Sequence, residues 1–560
     1  MKRTKILRVA LSTLLLVTLL MNLTSIAYAT TDRSKISDIL HEKMLCNNDK
    51  LPVAIWCTPP DISTTQTQTQ VQASALAENA EMMKTIQPTT SNISKLSKDI
   101  KHNYRSTVSQ QYIQKNTNFV SNYLNKDSIV YISKYSPMII ANLTNNEIMY
   151  LSSVEEVNSL DYHENPQFDT TLSVTTDTLS SQLTTLSSQL ANYTGAGVNI
   201  GIFDGGVPNT EELESLNINV NGINGTYTSA HPYRVTKIIA EIAPDANYYF
   251  TGNNPDIVFL GEYIEWLLDQ NVDIINASLL YGADGDSNYG NFSKWIDHIA
   301  YNHYVLIVNA AGNNSAVVGC PGMAYNVMTV GAINNQYLLS DISGYYTGNT
   351  YALKPDICAI GPTYTSYATP RVTATAALLI NIDPQLSFSP ELIKAILTAS
   401  VDTTTSHHYL PTQVSAYGTN YRNAGAGLLS TNNALNVEIN NQSRCSSLTS
   451  SNTFQEYTFA ITTQDIGSIV RISMAYTVPV NAFGNHGKYE FDTYPIPNLD
   501  LLVYAPNNTV ASWTSGTMQN NVEIIEFTPT VPGYYKIKVQ TVNGTASSER
   551  IYFGIAWSIQ

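Results

Sequence analysis

The chain has 560 residues, of which 43% are hydrophobic and only 13% charged, and its formal net charge is -15. That length accommodates several domains with real cores. The acidity and the lack of a basic stripe exclude the wrapping of nucleic acid, because neutralising phosphates needs dense Lys and Arg.

The first segment reads as an export signal. Lys2, Arg3, Lys5 and Arg8 precede the apolar run VALSTLLLVTLLMNL, and Ala27-Tyr28-Ala29 offers small residues at the end of a 1–29 signal peptide. The run is short for a membrane span and no second span or terminal anchor follows, so the mature protein is expected outside the cell and outside the membrane. Residues 30–126 are polar, with a Thr/Gln tract, and read as a poorly structured or linker-like pro-region. Residues 127–170 change character to strand, strand, helix, strand, with a Thr144/Glu147 capping box opening the helix. A Ser/Thr-rich link covers 171–194. Five cysteines, Cys46, Cys57, Cys320, Cys358 and Cys445, cannot all pair within one chain. Oxidation allows Cys46 with Cys57, and no Cys-x-x-Cys or Cys/His cluster points to a metal.

From 195 to 440 short apolar strands (VNIGIF, NYYF, DIINASL, YVLIVNAAG, YNVMTVGAI) alternate with helical stretches such as VTKIIAEIA, SKWIDHIAYN and PELIKAILTAS. This alternation predicts an α/β domain with a mainly parallel sheet and helices on both faces. Functional groups in such sheets gather at the carboxyl ends of the strands. From 446 to 560 the runs EYTFAITT, VRISMAYT, LDLLVYA, VEIIEFTP and YYKIKVQ predict a β-sandwich.

Four segments of the central block carry candidate chemistry. IGIFDGGVP ends an apolar strand in Asp204, either a turn cap or a carboxylate fixed to aim at an imidazole. AHPYRVTKIIAEIAPDA sets His231 just before a helix predicted over Val235–Ile242, either as a loop histidine or as a base. TYTSYATPRVTATAALL puts Ser366 at the start of an apolar helix. There unpaired N–H groups and positive partial charge can receive an oxyanion, or Ser366 or Thr365 is simply an N-cap. VLIVNAAGNN sets Asn313 after a buried strand, as a second donor to that oxyanion or as a turn residue.

Together, in the order Asp, His, Asn, Ser, these segments resemble the subtilisin-like serine peptidases. The likeness runs almost continuously from Gly195 to Leu435, through VDIINASL, NVMTVGAI, KPDICAIG and GAGLLSTNNAL. The resemblance implies a secreted serine endopeptidase acting on protein or peptide substrates, with Asp204, His231 and Ser366 as the catalytic triad and Asn313 in the oxyanion hole. It implies a substrate cleft lined by Ser278, Leu279, Leu280, Ala310, Ala311, Gly312 and Tyr364. No cofactor is required; calcium is common in the family, but no Asp cluster is spaced like a dedicated loop. Residues 127–170 are similar to the family's inhibitory prosegments, an intramolecular partner, and 446–560 to prepeptidase-type C-terminal β-domains.

The sequence departs from the family at several points. Pro232, Tyr233 and Arg234 follow His231 where the family has Gly, Thr, His. Tyr364 replaces a Gly two residues before the serine, Tyr367 and Arg371 replace a common Met and His, and Leu280 stands where a Gly often lines the specificity pocket. These changes allow two readings: an active enzyme with a reshaped cleft, or a pseudoprotease that binds peptides or a cell-surface partner. A purely adhesive or structural β-protein leaves the central motifs unexplained.

Overall fold

The computed structural model describes residues 33–47, 49–83, 90–163, 190–252, 259–280, 289–314, 317–345, 352–361, 364–403, 424–479, 496–517, 520–542 and 550–560. The expected signal peptide and residues 171–189 of the link lie outside them.

The N-terminal region contains helix α1 (Asp38–Cys46), strand β1 (Leu51–Cys57), helices α2 (Ser63–Met83) and α3 (Thr90–Tyr123), strands β2 (Ile129–Ile132) and β3 (Met138–Leu143), helix α4 (Asn145–Ser152) and strand β4 (Val157–Tyr162). Residues 30–126 are therefore not linker-like. Strand β1 lies inside the sheet, antiparallel to β3 and β4, in the order β2-β3-β1-β4, so the α+β unit starts well before residue 127. The capping box of α4 forms in both directions: Glu147 N–H donates to Thr144 Oγ1, and Thr144 N–H to the Glu147 carboxylate. Cys46 and Cys57 are free. Cys46 closes α1, five residues before β1 begins, and Cys57 lies at the far end of β1. About 20 Å of extended strand therefore separates Cys57 from the start of β1.

The central region runs β5 (Asn199–Asp204), α5 (Thr210–Glu214), β6 (Asn219–Asn224), α6 (Ala230–Ile242), β7 (Asn247–Gly252), α7 (Gly261–Asp269), β8 (Ile274–Ala277), α8 (Asn291–His303), β9 (Leu306–Ala310), β10 (Met328–Ile333), β11 (Ile357–Ile360), α9 (Thr365–Ile382), α10 (Pro390–Ala399) and α11 (Thr431–Ile439). The seven strands form one parallel sheet in the order β11-β10-β9-β8-β5-β7-β6. Strands β5, β8, β9 and β10 are buried along their whole length, as expected when helices cover both faces. On one face Val235 and Ile239 of α6 and Val372 and Leu379 of α9 share a core with Ile200, Ile202 and Val308. On the other, Ile264 of α7 and Trp295 and Ile299 of α8 pack with Phe203, Ile275 and Ile307. The N-terminal sheet adds a further layer here, because Trp56, Tyr135 and Ile140 belong to the same cluster.

The C-terminal region is a sandwich of two four-stranded sheets. Its strands are β12 (Ser443–Leu448), β13 (Phe454–Ile461), β14 (Val470–Tyr476), β15 (Leu499–Tyr504), β16 (Trp513–Ser515), β17 (Val522–Phe527), β18 (Gly533–Thr541) and β19 (Ile551–Ile559). The sheet orders are β12-β19-β14-β17 and β13-β18-β15-β16. Helix α10 packs against the first sheet so closely that a Cβ on Gly554 would collide with the Leu392 backbone. Buried Arg471 crosses this seam, donating to the Thr398 and Ala426 carbonyls and pairing with Glu526 at 3.0 Å. No helix among the described residues is long and apolar enough to cross a membrane.

Candidate active site

Asp204 is the last residue of β5, at the carboxyl end of a central strand, and is buried. Its Oδ1 and Oδ2 lie 2.8 and 2.9 Å from His231 Nδ1, and Gly205 N–H donates to Oδ1 at 2.6 Å. His231 sits inside helix α6 rather than ahead of it. The helix starts at Ala230, five residues earlier than expected, with Ser229 as its N-cap accepting from His231 N–H. Pro232 does not delay it, because in the first turn a missing N–H has no helical partner to lose. Burial disfavours a charged His231 ring, but the Asp204 carboxylate and its hydrogen bond outweigh that, so its pKa lies above the ordinary 6.5. The other ring nitrogen, Nε2, is buried and makes no hydrogen bond among the described residues.

Ser366 is the second residue of α9, where the partial positive charge of an 18-residue helix is concentrated. Tyr364 is the N-cap, with φ -135° and ψ 147°. That is ordinary extended backbone, so the position where the family carries glycine strains nothing here. The aromatic substitutions pack together instead. Tyr367 stacks on His231 with ring centroids 6.2 Å apart and meets Tyr364 edge-on at 6.1 Å.

Asn313 is tied to the same helix start. Its Oδ1 accepts from Thr365 N–H and Thr365 Oγ1, both at 2.9 Å, and Thr365 Oγ1 accepts from Gly312 N–H at 3.2 Å. Gly312 has φ +103°, a conformation that suits glycine. With Oδ1 engaged, the amide Nδ2 is the group left to donate into the cleft.

The Ser366 hydroxyl donates to the Ser278 carbonyl at 3.2 Å, and the Ser278 hydroxyl donates to the Ser366 carbonyl at 3.1 Å. The second bond has a cause in the sequence. Pro370 stands four residues after Ser366 and has no N–H, so the Ser366 carbonyl lacks its helical donor, and Ser278 supplies one. Sequence reasoning missed this tie, although the Ser366/Pro370 spacing was its signal.

The other expected cleft residues divide. Leu280 is half-buried and reaches across to the 312–319 segment: a Cβ on Gly312 would come within 2.7 Å of Leu280 Cδ1, and one on Gly319 within 3.3 Å of Cδ2. Ala310 and Ala311 are buried at the end of β9. The Leu279 side chain belongs to the core cluster on the α7/α8 face, so the cleft receives its backbone rather than its side chain. Among the described residues no group of three or more His, Cys, Asp or Glu is arranged to hold a metal ion.

A model of the subtilase family matches residues 195–427. Subtilisin DY of Bacillus licheniformis is 26% identical to this chain over 232 residues, covering 35% of this chain and 81% of that protein. Subtilisin E of Bacillus subtilis (strain 168) is 26% identical over 242 residues, covering 36% of this chain and 61% of its own length. A solved structure of the epidermin leader peptide processing serine protease from Staphylococcus aureus is 17% identical, covering 58% of this chain and 96% of that one, with a TM-score of 0.40. Over residues 195–427 the chain is thus similar to the subtilisin-like serine proteases.

Proposed function

We propose that this subtilase is a secreted serine endopeptidase that cleaves proteins or peptides through an acyl-enzyme and is made with an inhibitory N-terminal segment. The observation that carries the reading is the Asp204–His231 pair: the carboxylate holds Nδ1 and leaves Nε2 without a protein partner. A carboxylate on Nδ1 fixes the tautomer that keeps the Nε2 lone pair free to accept a proton. Ser366 Oγ, turning from Ser278 about its Cα–Cβ bond, gives its proton to Nε2 and attacks the peptide carbonyl. Asn313 Nδ2 and Ser366 N–H receive the oxyanion. His231 returns the proton to the leaving amine, and water then releases the acyl group by the same route. Hydrogen bonds of this kind are often unformed before substrate binds.

Two features support an inhibitory segment. The N-terminal sheet packs on α7 and α8. Its last strand ends at Tyr162, whose carbonyl accepts from Asn291 at the start of α8, the helix end nearest the carboxyl ends of the strands. Strand β4 therefore ends on the cleft side.

A fluorophosphonate should label Ser366 of the mature protein and leave Ser366→Ala unlabelled. N-terminal sequencing of the secreted protein should show a start within 171–194, and Ser366→Ala should keep its N-terminal segment covalently joined if cleavage is autocatalytic. Because the His231 pKa is raised, kcat/KM should fall as pH drops through a value above 6.5, and Asp204→Asn should move that limb downward. A second reading, a peptide-binding pseudoprotease, is favoured by one observation: the Ser366 hydroxyl is bonded to Ser278 and not to His231. Folded mature protein that resists labelling would establish it.

A further inference from the structure

Helix α3 lies at the opposite end of the subtilase domain from the triad, across the amino-terminal ends of the sheet strands. Lys98, Lys101 and Arg105 recur at spacings of three and four and so share one face of the helix. Lys98 Nζ donates to Asn199 Oδ1 at the first residue of β5, at 2.7 Å. Lys101 Nζ pairs with Asp273 Oδ1, just before β8, at 2.7 Å, with side chains 0% and 3% exposed. Buried Arg105 donates to the carbonyls of Val272, His303 and Tyr304 at 2.8, 2.9 and 3.1 Å. The His303 and Tyr304 carbonyls lie at the C-terminal end of α8, where a helix leaves acceptors unpaired and partial negative charge, and Val272 lies in the turn between α7 and β8. Around this polar row Tyr104, Val108 and Tyr112 form a small core with Tyr304 and Phe388, and Tyr104 OH donates to the Asn302 carbonyl.

We infer that α3 is a permanent subunit contact: after a cut in the link, residues 33–163 stay bound to the subtilase domain as a separate chain, and the working protein has two chains. Withdrawing α3 would strand Asp273 without its counter-ion and uncap the C-terminal end of α8. A buried pair broken in this way is strongly unfavourable. The contact sits far from the cleft, so holding it does not require the active site to be blocked.

The inference stands apart from the proposed hydrolysis, and its test needs none. A foreign protease site is placed between residues 171 and 189 of the full-length Ser366→Ala protein, the chain is cut, and two fragments are confirmed on a denaturing gel. Size-exclusion chromatography at micromolar concentration should show both fragments in one peak, in 0.15 M and in 1 M NaCl. Exchange against a labelled N-terminal fragment should become at least about 100-fold faster in Lys101→Met. Arg105→Lys, a milder change, should accelerate exchange about tenfold, so the test survives misfolding of the first variant. Separation of the unmutated fragments in 0.15 M NaCl, or exchange rates unmoved by the substitutions, would overturn the inference. Either result leaves fluorophosphonate labelling to decide the proposed activity separately.

Discussion

Through the turn between β2 and β3 the N-terminal sheet meets α7 with Lys134 and Asp269, an ion pair of 2.6 Å whose side chains are 42% and 39% exposed. Helix α3 meets the same domain through Lys101 and Asp273 at 2.7 Å, with side chains 0% and 3% exposed. The geometry is nearly the same and the surroundings are opposite. Water and salt screen the first pair to little net value, whereas the second cannot lose one partner without leaving a charge buried. The sheet contact also has a group that titrates. Buried Glu265 accepts from Ser133 Oγ at 2.6 Å and Lys134 N–H at 2.9 Å, and burial pushes its pKa up to about 7. Asp273 goes the other way: burial would raise its pKa, but Lys101 and Lys98 hold it below the usual carboxylate range. One segment thus carries a contact suited to letting go and another suited to staying.

The largest expected effect separates chemistry from both contacts. Ser366→Ala should lower kcat by about a million-fold, the loss known for the corresponding serine of subtilisin, while fragment association after cutting stays unchanged. Peptide hydrolysis and size-exclusion chromatography read the two outcomes. Next in size, Asp273→Ala leaves Lys101 buried without a partner. Urea unfolding should show a loss of about 3–5 kcal/mol, and a Lys101→Met/Asp273→Leu double variant should recover most of it. A loss under 1 kcal/mol would erase the contrast between the α3 contact and the sheet contact.

The third effect is a pH dependence confined to the sheet contact. The docked sheet raises the Glu265 pKa from an ordinary 4.5 to about 7, so docking favours the protonated form. Its stabilising contribution is full below about 4.5 and is lost as pH rises through 7. Lys134 and the Tyr131 and Ser133 hydroxyls temper the shift without cancelling it. Once corrected for intrinsic rates, amide exchange in β2 and β3 should quicken between pH 5 and 8, while α3 stays protected. Glu265→Gln should flatten that response. Smallest of all, Lys134→Ala should weaken sheet docking by less than about 1 kcal/mol, and 1 M salt should erase the difference.

How much of this was legible follows from what each element buries. Strands β5 and β8 to β10 announced themselves because both faces are apolar, and Asp204 was found at the end of one. The Thr144/Glu147 box marked α4 because capping is local chemistry. Helix α3 was missed because its anchoring face is Lys98, Lys101 and Arg105, residues that read as solvent-facing until Asn199, Asp273 and the carbonyls of Val272 and His303 are brought beside them. Only folding brings those groups together, since they lie 101 to 198 residues away. His231 was expected just ahead of a helix over Val235–Ile242 and lies inside its first turn, where Pro232 is tolerated.

By withholding one N–H, Pro370 hands the Ser366 carbonyl to a hydroxyl on the segment just past β8. Ser366, the proposed nucleophile, is thereby tethered to that segment as well as to its own helix. Whatever moves Ser278, a peptide strand laid against it or a change as small as the loss of its hydroxyl, is transmitted to Ser366 directly, without passing through the histidine.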